Sequence, residues 1–426
     1  MKKVGEKVRK VSRRVVVTGI GVIAPNGMGK ERFLEAIVNG RSGIKKITRF
    51  DTTAYPSRIA GEVDDFEPTD YMDKKDARRR SRCTQLAMAA ARMAMNDSGI
   101  NLTHVEHERM GIVLGFGTNG MEIIESQHQI FLSHGLKKVS PFGMISVLLN
   151  TPTGEIAIEF GISGPSNTLS TGCSSAVNAV GNAFNLIRWG AADIVVTGGA
   201  EAPITPLTLT GFCAARSLSC QNEHPEEASR PFDVRRDGLI MGEGAGIIIL
   251  EEMNHALIRK ADIYAELLGY SSTTNATSLM MPDASGTSRA LKSAMKDAEV
   301  TPESIDYYSA HAVSTTADVV EINAIKQTFG EYAYHMPVSS IKSMIGQPFC
   351  AAGAIQTTSC VLAVKHDVIP PTINHCEPGP GCEGIDFVPN VARKQVINKA
   401  ILNSYGYGGN NACLVMGSFC GSQTMS

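Results

Sequence analysis

A run of β-branched residues closing on a glycine-rich turn occurs at both ends of this chain, and it limits the fold more than any other feature. RRVVVTGIGVIAPNG near the N-terminus reads as a buried strand running into a turn, and KAILNSYGYGGNNACLVMG near the C-terminus repeats the grammar. Between them, apolar runs mark strands at 112–115, 194–198, 246–251, 264–269 and 307–310, separated by helical patterns such as 82–97 and 285–297. Strands alternating with helices favour mainly parallel sheets covered on both faces, a globular α/β class. The same rhythm in each half implies two related α/β halves dividing near residues 255–265. No Pro/Ser-rich linker separates them, so one compact body is expected.

Composition narrows the function classes. Of 426 residues, 43% are hydrophobic and 19% charged, and the formal net charge is −2, which gives no global pull towards nucleic acid. The strongest apolar run, 245–250, has the length of one buried strand, and no stretch approaches a membrane span. The first fourteen residues hold seven Lys or Arg without an apolar block behind them. They read as a solvated tail, with an electrostatic docking arm as the alternative. Ten cysteines, scattered without CxxC pairs or regular His spacing, argue against zinc and against a disulfide framework. Reduced thiols in a cytosolic enzyme fit best, and no metal site is expected.

The segment GPSNTLSTGCSSAVNAVGNAFNLIRWG is the most informative stretch. Residues 168–171 read as a strand end, Gly172 permits a sharp turn, and Val177, Val180, Phe184 and Ile187 form a helical stripe. Cys173 therefore falls at the mouth of a helix, where unpaired N–H groups and the helix dipole favour thiolate over thiol. Such a thiolate is a good acyl acceptor, and neighbouring N–H groups can hold an oxyanion. The same residues also fit a small buried core cysteine. The other nine cysteines lack the glycine turn and helix start, and read as packing residues.

In SIDYYSAHAVSTTADVVEINAIKQTFG a short strand ends at His311, and a polar turn leads to a helix bearing Glu321. The C-terminal edge of a strand is where open α/β folds collect chemistry, although a structural histidine fits the same pattern. Lys342 follows another short strand in VSSIKSMIGQPFCAAGA, among small and apolar neighbours that favour partial burial over a surface position. The loop NSYGYGGNN at 403–411 has the backbone freedom to approach a ligand, and its spacing does not match a dinucleotide-binding GxGxxG.

Together these segments resemble the β-ketoacyl–acyl-carrier-protein synthases, the type II elongating synthases of fatty acid synthesis and the ketosynthase subunits of type II polyketide synthases alike. RSGIKKITRFDTTAYPSRIAGEV, SRPFDVRRDGLIMGEGAGIIILEE and PPTINH extend the match over nearly the whole chain. The resemblance implies a thiolate-chemistry scaffold, the thiolase-like five-layered αβαβα sandwich of two duplicated halves. Here these are a first half over 13–260 carrying Cys173 and a second over 261–420 carrying His311 and Lys342, behind a basic tail over 1–12. It further implies that Cys173 accepts the acyl chain, that His311 assists malonyl decarboxylation, and that Lys342 and Glu321 form a supporting charged pair. By the same resemblance, Tyr407 stands at a gating position whose backbone N–H completes the oxyanion hole with that of Cys173. Thr315 matches a threonine that binds the phosphopantetheine arm.

The chain departs from that pattern at one cavity. Gln347 in GQPF stands where the family carries a second catalytic histidine; its amide can donate a hydrogen bond but cannot become a cation near neutral pH. HAVST replaces HGTST, so Val313 stands in place of a hydroxyl that would hold pantetheine, and SLMMP, with Met280, replaces HMTSP. Thr118 in GFGTNG matches a position that limits the acyl pocket, and it reads equally as a turn-forming threonine. MDKKDARRRSR at 72–82 gathers six Lys or Arg, and Lys74, Lys75, Arg78 and Arg79 form a candidate docking patch for an acidic carrier. The bland alternative is a solvated helix face.

The expected activity is decarboxylative Claisen condensation of a Cys173-bound acyl chain with a malonyl-type extender on acyl carrier protein. The alternatives are an acyltransferase or malonyl-carrier decarboxylase without elongation, or a chain-length-setting partner subunit with little activity. No cofactor bound by the enzyme, no nucleic acid and no membrane insertion are expected. The expected partners are the carrier protein and a second chain, in a homodimer or a heterodimer with a related ketosynthase-like subunit, in the cytoplasm.

Overall fold

The computed structural model describes residues 13–419. The expected basic tail over 1–12 lies outside the described residues. Five strands form the main path of the first unit: β1 (Val15–Ala24), β2 (Met110–Gly115), β3 (Ser166–Leu169), β4 (Ile194–Glu201) and β5 (Gly244–Glu252). Five more make the second: β6 (Ala265–Thr274), β7 (Tyr307–Ser309), β8 (Val338–Ser339), β9 (Lys399–Gly406) and β10 (Asn410–Gly417). The first unit runs β3-β2-β4-β5-β1 and the second β8-β7-β9-β10-β6. Counted in chain order within each unit, both arrangements are third, second, fourth, fifth, first. The units meet where Val15 pairs with Leu267 and Val17 with Ala265.

The sheets are mixed, which corrects the expectation of mainly parallel pairing. In the first unit β2 is parallel to β3 and β4, while β4–β5 and β5–β1 are antiparallel. The second unit repeats this with β7 parallel to β8 and β9, and with β9–β10 and β10–β6 antiparallel. The reason is visible at the C-terminus. Gly408 (φ 91°) and Gly409 (φ 72°) turn the chain back within a few residues, and so short a return can only make an antiparallel hairpin.

Helices complete five layers: α1 (Arg82–Ser98), α2 (Ser175–Arg188), α3 (Ala284–Asp297), α4 (Asp318–Phe329) and α5 (Ala351–His366). α1 starts where the Ser81 hydroxyl accepts the Thr84 N–H at 3.1 Å and stops at left-handed Gly99. Its alanine-rich face lies directly on β1: a Cβ on Gly21 would sit 1.9 Å from the Ala90 carbonyl. α2 and α5 occupy the middle layer and touch strands of both units, whereas α3 packs on the outer face of β6 and β10 with α4 beside it. Every residue of α5 from 351 to 364 is buried, as a helix enclosed between two sheets requires. The N-terminus of α2 and the C-terminal ends of β7 and β9 converge at this central layer.

Candidate active site

Cys173 sits in the turn between β3 and α2, and three features shape that turn. Gly172 adopts φ 65°, and a Cβ there would lie 2.8 Å from the Tyr407 carbonyl, so the two loops press together. The Gly172 carbonyl accepts from the Ser175 hydroxyl at 2.6 Å and from the Cys350 thiol at 2.8 Å. The Ser175 hydroxyl in turn accepts the Thr171 N–H at 2.8 Å. The nucleophile candidate is thus anchored from the first turn of α2 and from the start of α5.

The electrostatics differ from the thiolate expectation. Burial pushes the Cys173 thiol up to about 11, and the Glu201 carboxylate adds to the rise. The Lys342 charge and a hydrogen bond from the Gln347 side chain oppose it without prevailing. Desolvation of a charged sulfur outweighs the helix mouth, so Cys173 rests as a thiol at neutral pH.

His311 follows β7 and is 3% exposed. Burial, then the nearby Lys342 charge, holds its imidazole well below the ordinary range, so it is neutral. Its ring lies against Tyr405 at 4.1 Å between centroids. The Ser404 hydroxyl links the two halves of the site: it donates to the Cys173 carbonyl at 3.3 Å and lies 3.5 Å from His311 Nδ1.

Glu321 and Lys342, expected as a supporting charged pair, both stand behind this surface. No ion pair joins them among the described residues. The Glu321 carboxylate accepts instead from the Tyr308 hydroxyl, the His311 and Ala312 N–H groups and the Asn403 amide, at 2.8 to 3.0 Å. Lys342 is 1% exposed, and burial brings it down to about 8 while Glu321 and Cys173 pull the other way. Its ammonium lies 3.4 Å from the Gln356 carbonyl oxygen, and the Gln356 amide bonds the Ser309 carbonyl at 2.9 Å and the Asn403 carbonyl at 3.2 Å.

A cavity of about 360 Å³ reaches this centre, and Cys173, His311, Gln347, Val313, Thr315 and Tyr407 all line it. Gln347 is 3% exposed, and its Oε1 has no hydrogen-bond partner among the described residues. Met280 also lines the cavity, so the three departures noted in the sequence share one space. Thr118 does not line it. Its hydroxyl donates to Glu201 at 2.5 Å and its N–H to the same oxygen at 3.0 Å, so the turn-forming reading accounts for its polar groups.

The basic run divides. Lys74, Lys75, Arg78 and Arg79 are exposed, and Arg79 lies over the Phe142 ring at 4.5 Å. Arg80 and Arg82 turn inward, to Glu155 and to Glu243. Among residues that the sequence reading missed, Asp318 accepts the N–H groups of Val313, Ser314 and Thr315 at 3.0 to 3.3 Å, as Glu321 does for His311 and Ala312. Two carboxylates three residues apart at a helix start, after a polar turn, were the available signal. Arg216 and Arg236 at the mouth carry no comparable signal.

Family models match both halves of the chain: the β-ketoacyl synthase N-terminal domain over 12–256 and its C-terminal domain over 264–375. The chain belongs to the β-ketoacyl synthase family. The 3-oxoacyl-[acyl-carrier-protein] synthase 2 of Coxiella burnetii is 42% identical over 95% of this chain and 98% of that protein. The Staphylococcus aureus protein of the same name is 42% identical over 96% and 99%. Among solved structures, the ishigamide ketosynthase/chain length factor aligns with a TM-score of 0.91 at 35% identity, covering 96% of this synthase and all of that chain. A type II polyketide synthase acyl-carrier protein in complex with its ketosynthase bound to the hexaketide aligns at 0.88 and 33% identity, covering 96% of this synthase. The thiolase-type sandwich and the family membership therefore rest on both sequence and fold. Among the described residues, no helix of this synthase is long and apolar enough to cross a membrane.

Proposed function

We propose that this protein condenses an acyl chain held on Cys173 with a malonyl-type extender carried on the phosphopantetheine of an acyl carrier protein. The observation that carries the reading is the single cavity in which Cys173, His311 and Gln347 meet, with Ser404 bridging the first two. In the first half-reaction the Cys173 thiol attacks the acyl thioester, its proton leaves with the departing carrier thiol, and a Cys173 thioester remains. In the second, the malonyl thioester loses carbon dioxide, and the resulting enolate attacks the Cys173 thioester carbonyl. Collapse breaks the carbon–sulfur bond, gives a 3-oxoacyl carrier, and returns Cys173 as a thiol after uptake of one proton.

The resting thiol needs a base for the first attack, and neutral His311 is the nearby group able to take a proton. The Gln347 amide donates to the sulfur at rest, and when the extender is bound the same donor supports its thioester oxygen. Thr315 borders the arm, and Val313 offers it an apolar contact in place of a hydroxyl. Tyr407, pressed on Gly172, brings its backbone to the oxyanion side. Lys342 and Glu321 act from behind, through charge and through the His311 loop.

Exposed Lys74, Lys75, Arg78 and Arg79 fit an acidic carrier protein, by charge complementarity. A second ketosynthase-type chain fits the surface formed by residues 121–160. Phe131, Leu132, Leu136, Met144, Ile145 and Ile158 are all at least half exposed there, beside edge strand β3. Contiguous apolar exposure beside an open strand edge is what an interface leaves on a separated subunit. We place the boundary between the two halves at 260/261, where the strand order restarts, and the protein in the cytoplasm, consistent with its unpaired thiols among the described residues.

A second reading, acyl transfer or malonyl decarboxylation without elongation, is favoured by one observation: Gln347 cannot supply a proton. Incubation with acyl-carrier and malonyl-carrier substrates, followed by intact-mass analysis, separates the readings. A 3-oxoacyl carrier supports condensation, whereas an acylated enzyme with free malonyl or acetyl carrier and no longer product supports the second reading.

A further inference from the structure

Condensation requires the acyl chain and the extender to occupy the site together, and this inference rests on the condensing reading above. The cavity at Cys173 opens between exposed Arg216, Asp237, Met280 and Thr316. An extender arm entering there fills the same space that an acyl chain on Cys173 would use, so a chain of any length needs room beyond the wall. Phe349 forms that wall. It lines the cavity, its ring lies 4.9 Å from that of Phe212, and Phe212 does not line the cavity. Both rings pack against a cluster that includes buried Ile204 and Leu209, so the protein beyond the wall is apolar.

Phe349 is also held in a position an aromatic residue rarely takes, at φ 41° between Pro348 and the start of α5. Neighbouring directions are sealed. A Cβ on Gly117 would meet Cys350 Sγ at 2.4 Å, and Thr118 is tied to Glu201. The Phe349 and Phe212 rings are half-buried and inclined at 37° to each other, which leaves this pair the least enclosed part of the wall.

We propose that Phe349 determines acyl-chain length: packed against Phe212 it confines the Cys173 thioester to short chains, and longer linear apolar chains enter only when the ring leaves that contact. The test uses the full chain with S-alkyl methanethiosulfonates from methyl to dodecyl, which cap a thiol without turnover. Capping of Cys173 is read by peptide mass, in parallel with butyryl-, octanoyl- and dodecanoyl-carrier substrates. Phe349→Gly suits the left-handed backbone, and Phe212→Ala removes the packing partner as an independent second variant. For the unmodified protein, the capping rate at Cys173 falls by about tenfold or more between methyl and octyl reagents, and either variant removes most of that fall. Equal rates for all reagents in the unmodified protein, or an unchanged length profile in both variants, overturns the proposal. If the carriers leave Cys173 unmodified while the alkyl series still discriminates by length, the condensing reading fails and the wall stands.

Discussion

The Glu321 carboxylate receives the backbone N–H of His311 at 3.0 Å, so the loop that carries the imidazole is held by a buried acid ten residues further along the same strand–turn–helix unit. Glu321→Leu leaves the His311 and Ala312 N–H groups buried without an acceptor. Each such orphan costs about 1–3 kcal/mol, so denaturant unfolding registers a loss of about 2 kcal/mol or more. Glu321→Gln keeps one acceptor and loses less. In that variant the rate of Cys173 acylation falls together with the condensation rate, because the loop it supports carries His311, the base for the first attack.

Burial pushes the Cys173 thiol up to about 11. A raised thiol pKa means little thiolate at neutral pH, so alkylation of Cys173 by iodoacetamide rises about tenfold per pH unit towards that value. Lys342 supplies a nearby positive charge that favours the thiolate. Lys342→Met therefore slows alkylation at pH 7, by about three- to tenfold. Equal rates in the two proteins would remove Lys342 from the account of the sulfur.

Gln347→His restores a group that can both donate and carry a proton. Condensation, measured as 3-oxoacyl carrier formed per enzyme, rises by about ten- to a hundredfold. An unchanged or slower rate means that the cavity, with Val313 and Met280 in it, is built around the amide.

The docking role proposed for the exposed basic group is one of encounter. Reversing Lys74, Lys75 and Arg78 to Glu raises KM for the carrier substrate by about tenfold with kcat nearly constant, and the difference shrinks as salt is raised. Arg82→Glu behaves differently: it breaks the contact with Glu243 and lowers thermal stability.

What was legible in the sequence was local. The glycine turn, helix stripe and short-strand signals at Cys173, His311 and Lys342 each occupy one strand–turn–helix unit, so their backbone settings follow from nearby residues. What was not legible involves contacts that only the fold assembles. The Thr118 hydroxyl meets Glu201, brought alongside by the sheet. Glu321 takes the Asn403 amide from β9 in addition to Tyr308, His311 and Ala312 of its own strand–turn–helix unit. Arg80 and Arg82 belong to a basic run by composition, yet Glu155 and Glu243 turn them inward. The helix mouth at Cys173 was read correctly as geometry, but the desolvation that outweighs it depends on the whole middle layer.

The most direct test is the intact mass of the protein after exposure to an acyl-carrier substrate, followed by malonyl carrier. The account predicts one acyl increment that is absent in Cys173→Ala, and its loss on malonyl addition with appearance of a 3-oxoacyl carrier. An increment that persists in Cys173→Ala, or one that malonyl carrier never discharges, contradicts it.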